Sequence, residues 1–263
     1  MFNLNHYTAV LLDMDGVLYR GQMPLPGVND MLALFARRAI AYACVTNNST
    51  LTPAQYEAKL AAMGIAIPAA QVITSSVATR RYLEGIEQRG TPAYYIGMEG
   101  LREALFGDGY FIYDERHPQV VVTGLDSGAT YAKLKIAALA IRAGARFVGT
   151  NPDMTLPTEE GLVPGAGSIQ ALLTAATDVT PLVIGKPEPT MLHAAIEILH
   201  ANPQRTLVIG DRLDTDIAGA AAAGLASALV LTGVSTMADL KHSALQPDSV
   251  YAGLPEIVAG WEI

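Results

Sequence analysis

The stretch Val10-Leu11-Leu12-Asp13-Met14-Asp15-Gly16-Val17 decides how the rest of the chain is read. Its Val- and Leu-rich start reads as a buried strand. The strand ends in two carboxylates one residue apart, followed by a glycine. Residues i and i+2 of a strand share a face, so Asp13 and Asp15 are expected to face one site at its C-terminal end. Two carboxylates that close repel each other unless a cation or a shared proton compensates. Gly16 lets the chain leave the strand through a turn with positive φ. Taken alone, the stretch also fits a plain strand-end turn, because Asp-Gly pairs mark hairpins.

Working outward, apolar strand patterns alternate with helical ones along the whole chain. Strands are expected at Ile40 to Val45, Val72-Ile73, Ala93 to Ile96, Gln119 to Thr123, Arg146 to Gly149, Pro181 to Ile184, Thr206 to Ile209 and Ala226 to Leu231. Between them lie helical segments. One is opened by Thr52 and Pro53, with Gln55 completing a capping box, and stopped by Gly64. Another runs from Ser75 or Ser76 to Arg89-Gly90, a third from Tyr131 to Arg142, and a fourth from Asp214 to Ala223. The Pro-, Thr- and Gly-rich stretch from Thr150 to Gly165 reads as irregular, and loops of that length inside compact domains are often functional. Alternating strands and helices imply a doubly wound parallel α/β sheet, with ligands bound beyond the strand C-terminal ends.

Composition narrows the function. The 263 residues suffice for roughly one or two domains. A net charge of −8 argues against a nucleic-acid surface and against acidic membranes, so any anionic substrate needs positive charge supplied locally. The single cysteine permits no internal disulfide. With no signal peptide legible in Met1 to His6, a cytoplasmic setting is expected. The uncharged run Ile217 to Val234 is as long as a spanning helix, but its Ala and Gly content and Gly224 as a helix stop read instead as helix, cap and strand.

Chemically capable residues follow four of the apolar strands. They are Asp13 and Asp15; Thr46 with Asn47 and Asn48; Lys186 in Gly185-Lys186-Pro187; and Asp211 in Gly210-Asp211-Arg212-Leu213-Asp214-Thr215-Asp216. If the four strands are parallel neighbours, these ends meet at one edge. Carboxylate oxygens suit a hard cation, and Mg²⁺ is usually held by one or two of them together with waters and a substrate phosphate. Asp13 and Asp211 are the expected ligands, with Asp216 as an outer or water-mediated partner. Lys186 would hold a phosphoryl oxygen, as would Thr46 and Asn47 with nearby backbone N–H groups. Asp13 then serves as nucleophile, forming an aspartyl-phosphate. Asp15 would protonate the leaving oxygen and later take a proton from water.

Asp13-Met14-Asp15-Gly16-Val17-Leu18-Tyr19, Thr46-Asn47-Asn48-Ser49, Gly185-Lys186-Pro187 and Gly210 to Ile217 resemble the four motifs of the haloacid dehalogenase superfamily. More narrowly, the chain is similar to the NagD-type, or p-nitrophenyl phosphatase, branch (subfamily IIA). Thr150-Asn151-Pro152-Asp153 resembles that branch's cap loop. The resemblance implies a Rossmann-like core at 1–78 and 181–263, an inserted α/β cap at 79–180, and Mg²⁺-dependent hydrolysis of small phosphate monoesters. It also implies that the backbone carbonyl of Asp15 joins the metal shell. Asp15 favours phosphatase over dehalogenase chemistry. Gly16 and Asn48 fall with Thr46, Asn47 and Lys186 in the phosphate-binding set, and Asn151, Asp153 and Met154 are candidate cap contacts to the leaving group. A small phosphorylated metabolite is the implied partner, without nucleic acid or membrane, and a cap-mediated homodimer is compatible with the branch. The distance along the chain from Thr46 to Lys186 independently favours an insertion.

Other readings fit less well. Cys44 lies inside an apolar strand, and the position a cysteine phosphatase would fill with Arg is Thr50. Lys186 is followed by Pro187, which rules out a P-loop. The five histidines have no metal-site spacing. A phosphotransferase with the same aspartyl-phosphate, and a non-catalytic binder of Mg²⁺ and phosphate, remain open alternatives.

Overall fold

A computed structural model describes residues 3–262. The chain divides into two compact units, one of Met1–Thr46, Ala54–Ile73 and Lys186–Ile263, the other of Asn47–Pro53 and Thr74–Gly185.

The first unit starts with β1 (Ala9–Leu12), buried along its whole length. A small antiparallel hairpin follows, β2 (Tyr19–Arg20) with β3 (Met23–Pro24). Helix α1 (Val28–Arg38) buries Val28, Met31, Leu34 and Phe35, a stripe at helical spacing. Strand β4 (Ala41–Thr46), helix α2 (Pro53–Ala62) and strand β5 (Val72–Thr74) come next.

The second unit holds α3 (Ser75–Glu84), β6 (Pro92–Ile96), α4 (Glu99–Phe106), β7 (Ile112–Tyr113) and β8 (Val120–Thr123). It continues through α5 (Tyr131–Arg142), β9 (Arg146–Gly149), the hairpin β10 (Thr155–Thr158) and β11 (Gly161–Pro164), α6 (Ala166–Thr177) and β12 (Leu182–Val183). Threonine side chains cap two of these helices: Thr74 accepts from the Val77 N–H and Thr130 from the Lys133 N–H. The sheet order is β12-β9-β8-β6-β7, with parallel pairings throughout.

The chain then returns to the first unit with α7 (Thr190–Leu199), β13 (Thr206–Gly210), a π-helical turn over Leu213–Ile217, α8 (Ala218–Ala223) and β14 (Ala226–Val230). Helix α9 (Met237–His242), strand β15 (Ser249–Tyr251) and helix α10 (Leu254–Glu262) complete it. Its sheet runs β15-β14-β13-β1-β4-β5, and β1 sits between β13 and β4, parallel to both. This is the α/β fold with parallel sheets flanked by helices expected from the alternation.

Four local expectations change. The strand ahead of Lys186 is not a neighbour of β1, because β12 pairs with β9 in the second sheet. A two-residue strand carries too little pattern to announce its partner. Helix α3 stops at Glu84, not near Arg89, because Gly85 ends it first. The segment Thr150 to Gly165 contains the β10–β11 hairpin, hidden in sequence by Pro157 and Pro164, which a two-stranded ribbon tolerates. The helix expected from Asp214 begins as a π-helical turn. Among the described residues no helix is long and apolar enough to cross a membrane. Gly224, at φ 68°, ends α8 before β14 begins.

Candidate active site

The register of the first sheet assembles the site. Leu12 is level with Ile209 on one side and Cys44 on the other, so the residues just beyond leave the sheet at one edge. Those residues are Asp13, Asp211 and, at the tip of β4, Thr46. The Asp13 N–H donates to the Ile209 carbonyl at 2.9 Å, the last rung of the ladder. Regular strand ends at Leu12, so Asp13 and Asp15 are not related by strand alternation. A turn separates them, in which Leu18 N–H bonds Met14 O and Gly16 N–H bonds Tyr19 O. Asp13 points into a buried cluster, while Asp15 is exposed.

That cluster is built around Lys186. Its ammonium donates to Asp13 Oδ1 at 2.6 Å, Asp216 Oδ1 at 2.6 Å and the Val45 carbonyl at 3.0 Å. Asp216 Oδ2 accepts the N–H groups of Asp211 and Arg212, tying the π-helical turn to the end of β13. Asp211 Oδ2 accepts the Val234 N–H at 2.7 Å. Glycine is required around it: a Cβ on Gly233 would lie 1.8 Å from Asp211 Oδ2, and one on Gly16 2.6 Å away. Gly16, at φ 87°, therefore serves both the turn and this close approach.

Asp13, Asp211 and Asp216 each offer a carboxylate oxygen within 4.8 Å of the others. Three carboxylates facing one ammonium leave surplus negative charge. Burial raises the Asp13 carboxyl above its ordinary range, against the pull of Lys186 and with the push of Asp216 and Asp211. Asp211 is pushed up to about 6 by burial and by Asp216. Lys186 is held charged by the two carboxylates it bonds, against the effect of burial. An all-oxygen donor set with unbalanced negative charge fits a hard divalent cation.

Asp15 has a different setting. The N–H groups of Gly16 and Gly21 bond it and the charges of Lys59 and Arg20 pull its pKa down, but desolvation is the larger effect and the carboxyl lies above its usual range. Lys59, on α2, holds its ammonium 4.3 Å from the centre of the Tyr19 ring and 5.8 Å from that of Tyr56. Tyr56 shares a side-chain hydrogen bond with Thr46. Sequence reading did not single out Tyr56 or Lys59. Their spacing puts them on one helix face, but nothing in the pattern says which face turns toward Asp15.

The remaining expected residues lie in the second unit. Asn48 Oδ1 accepts from the Thr50 N–H, the Thr50 hydroxyl and the Leu51 N–H, which spends that side chain on a turn. Asn47 Nδ2 donates to the Asp153 carboxylate at 3.3 Å. Asn151 is buried, and its Nδ2 donates to the Asn47 carbonyl at 2.7 Å. Met154 is exposed.

Comparison with known proteins finds relatives over nearly the whole chain. Residues 10–110 match the haloacid dehalogenase-like hydrolase family and residues 183–257 a second HAD-hydrolase-like family. An acid sugar phosphatase of Staphylococcus aureus is 38% identical over 259 residues, covering 98% of this chain and all of the relative. Among solved structures, a 4-nitrophenylphosphatase from Thermotoga maritima superposes with a TM-score of 0.93 at 34% identity, covering 99% of this chain and 100% of that one. A glycerol phosphate phosphatase from Mycobacterium tuberculosis, in complex with magnesium, gives 0.88 at 35% identity, covering 98% and 78%. The chain belongs to the haloacid dehalogenase-like hydrolases and is a phosphatase of their NagD-like branch.

Proposed function

We propose that this phosphatase hydrolyses small phosphate monoesters with Mg²⁺, through an aspartyl-phosphate on Asp13. The observation that carries the proposal is Asp13 itself, an acid at the tip of the central strand, 2.6 Å from a buried ammonium and facing two more carboxylates. Such a group can reach a dianionic phosphate only where positive charge is concentrated. Lys186 supplies part of that charge. Asp13, Asp211, Asp216 and the Asp15 carbonyl would hold Mg²⁺, which when bound neutralises phosphoryl oxygens and screens them from the attacking carboxylate.

An Asp13 oxygen attacks phosphorus, and the ester P–O bond breaks. Asp15, kept protonated more readily than an ordinary aspartate by desolvation, gives its proton to the leaving oxygen. The resulting Asp15 carboxylate then takes a proton from water as that water attacks phosphorus. The bond to Asp13 breaks and inorganic phosphate leaves. Thr46, Asn47 and nearby N–H groups would hold the phosphoryl oxygens, beside the turn that Gly16 shapes. The names of the sugar and glycerol phosphate phosphatases make a small polyol phosphate the first substrate class to test.

The deciding assay is phosphate release from p-nitrophenyl phosphate with Mg²⁺ and with excess EDTA, for wild type and Asp13→Asn. Turnover that needs Mg²⁺ and vanishes in Asp13→Asn is expected. Wild-type turnover in EDTA, or an active Asp13→Asn, would remove the metal or the nucleophile assignment.

A further inference from the structure

Asn151 is occupied on every side. Its Nδ2 donates to the Asn47 carbonyl at 2.7 Å, its Oδ1 accepts the Asp153 N–H at 3.2 Å, and its own carbonyl accepts Gln170 Nε2 at 2.9 Å. The Asn47 carbonyl takes a second bond, from Ser75 Oγ at 2.6 Å. Asn151 and Gln170 are each only 4% exposed. Two glycines make room for the arrangement. A Cβ on Gly149 would lie 2.6 Å from the Gln170 amide, and one on Gly185 would lie 2.7 Å from Asn47 Oδ1 and 2.9 Å from the Asn151 Cβ.

A peptide group is planar, and in the trans form its C=O and N–H point in opposite directions. Two donors on the Asn47 carbonyl therefore set the direction of the Asn48 N–H as well. That peptide joins Asn47 to Asn48, one residue beyond the bond that links Thr46 to Asn47, so its plane constrains the segment that Thr46 begins. We propose that Asn151, supported by Gln170 and assisted by Ser75, is a positioning residue that fixes the Thr46–Asn48 segment in the orientation needed to receive the phosphoryl group. The inference rests on the reading that Thr46 and Asn47 hold that group. It assigns Asn151 a role common to all substrates, distinct from a contact to any one leaving group.

The two roles separate experimentally. The phosphoryl group is shared by every ester and by inorganic phosphate, whereas the leaving group is not. The variants are Asn151→Asp and Gln170→Glu, which replace an NH₂ donor by oxygen at almost constant volume, and Ser75→Ala. For each, thermal unfolding, the inhibition constant of inorganic phosphate, and kcat/KM for p-nitrophenyl phosphate and glycerol phosphate are measured. Loss of one buried donor is expected to raise the phosphate inhibition constant about tenfold in Asn151→Asp and less in the other two. The kcat/KM values for both esters should fall in the same proportion. A folded Asn151→Asp or Gln170→Glu with unchanged phosphate inhibition overturns the proposal, as does a loss confined to one ester. If only Ser75→Ala folds, its phosphate inhibition decides, and if none folds the network is structural and the proposal fails. Thr46→Val is the control for the underlying reading: if it leaves phosphate inhibition unchanged, that reading fails, whatever the other variants do.

Discussion

Two buried cations, one in each unit, are surrounded by carboxylates in opposite ways. Arg80 on α3 bonds Asp108 through two nitrogens at 3.0 and 3.1 Å, Glu84 at 2.7 Å and the Ala104 carbonyl at 3.0 Å. It lies 4.3 Å from the centre of the Tyr110 ring. Its partner Asp108 is 54% exposed, and Arg89 also pairs with it. Lys186 bonds Asp13 and Asp216, whose side chains are only 14% and 2% exposed, with Asp211 close by. The carboxyl groups respond accordingly. Asp108 is held down at about 2 by Arg80, whereas Asp211 is raised to about 6 and Asp13 is raised too. In the first cluster solvent and a second guanidinium complete the charge balance, so it is a device for holding the fold. In the second, burial and surplus anions leave a demand for positive charge that a divalent cation can meet.

The sharpest way to break the comparison is at Asp13. Asp13→Asn should lower kcat by roughly 10⁴-fold or more, the scale on which removing a nucleophile acts. It should not lower the melting temperature in EDTA, because it removes surplus negative charge. A folded variant with near-normal kcat would make the Lys186 cluster merely structural. Lys186→Met should act on both turnover and stability. It strands two buried carboxylates, so a loss of about 3–5 kcal/mol in denaturant unfolding without metal is expected, together with a fall in kcat/KM. An unfolding midpoint equal to wild type would show that Asp13 and Asp216 do not depend on that ammonium.

Asp211→Asn tests the metal half of the contrast. The Mg²⁺ concentration for half-maximal activity should rise on the order of 10–100-fold, as for disrupted metal shells generally. The pH dependence follows from the raised Asp211 carboxyl. Its proton-linked stability is present below the unfolded aspartate value of about 4 and is lost as pH rises through about 6. Metal binding needs the deprotonated form. The rise in melting temperature on adding Mg²⁺ should therefore be larger at pH 7.5 than at pH 5.5, and a difference independent of pH would count against Asp211 as a ligand. The smallest effect on function belongs to Arg80→Met. It should cost about 1–3 kcal/mol of stability by removing the charged hydrogen bonds of that guanidinium, with kcat/KM of the folded fraction unchanged.

Chain order revealed much of this site because each motif carries its chemistry in a few adjacent residues. Asp13 at a strand tip, Asp211 after Ile209-Gly210 and Lys186 beside Pro187 were all legible. Lys59 and Tyr56 were not, since a helix pattern shows that a face exists without naming its neighbour. Gly233 was equally silent: only the 1.8 Å that a Cβ would leave to Asp211 shows why a side chain is excluded there. Asn151 was legible as a loop residue of interest, but its hydrogen bonds to residues far along the chain were not.

By itself the sequence determined the alternation of strands and helices, the order of the four motifs and the excess of acid over base, because these are local or compositional properties. Tertiary structure alone decided that β12 joins the second sheet, that Asp13 and Asp15 part company beyond Leu12, and that Lys186 lies between Asp13 and Asp216. The physical reason is the same in each case. Pairing, burial and charge balance depend on distances between residues remote in the chain, and those distances exist only once the sheets have formed.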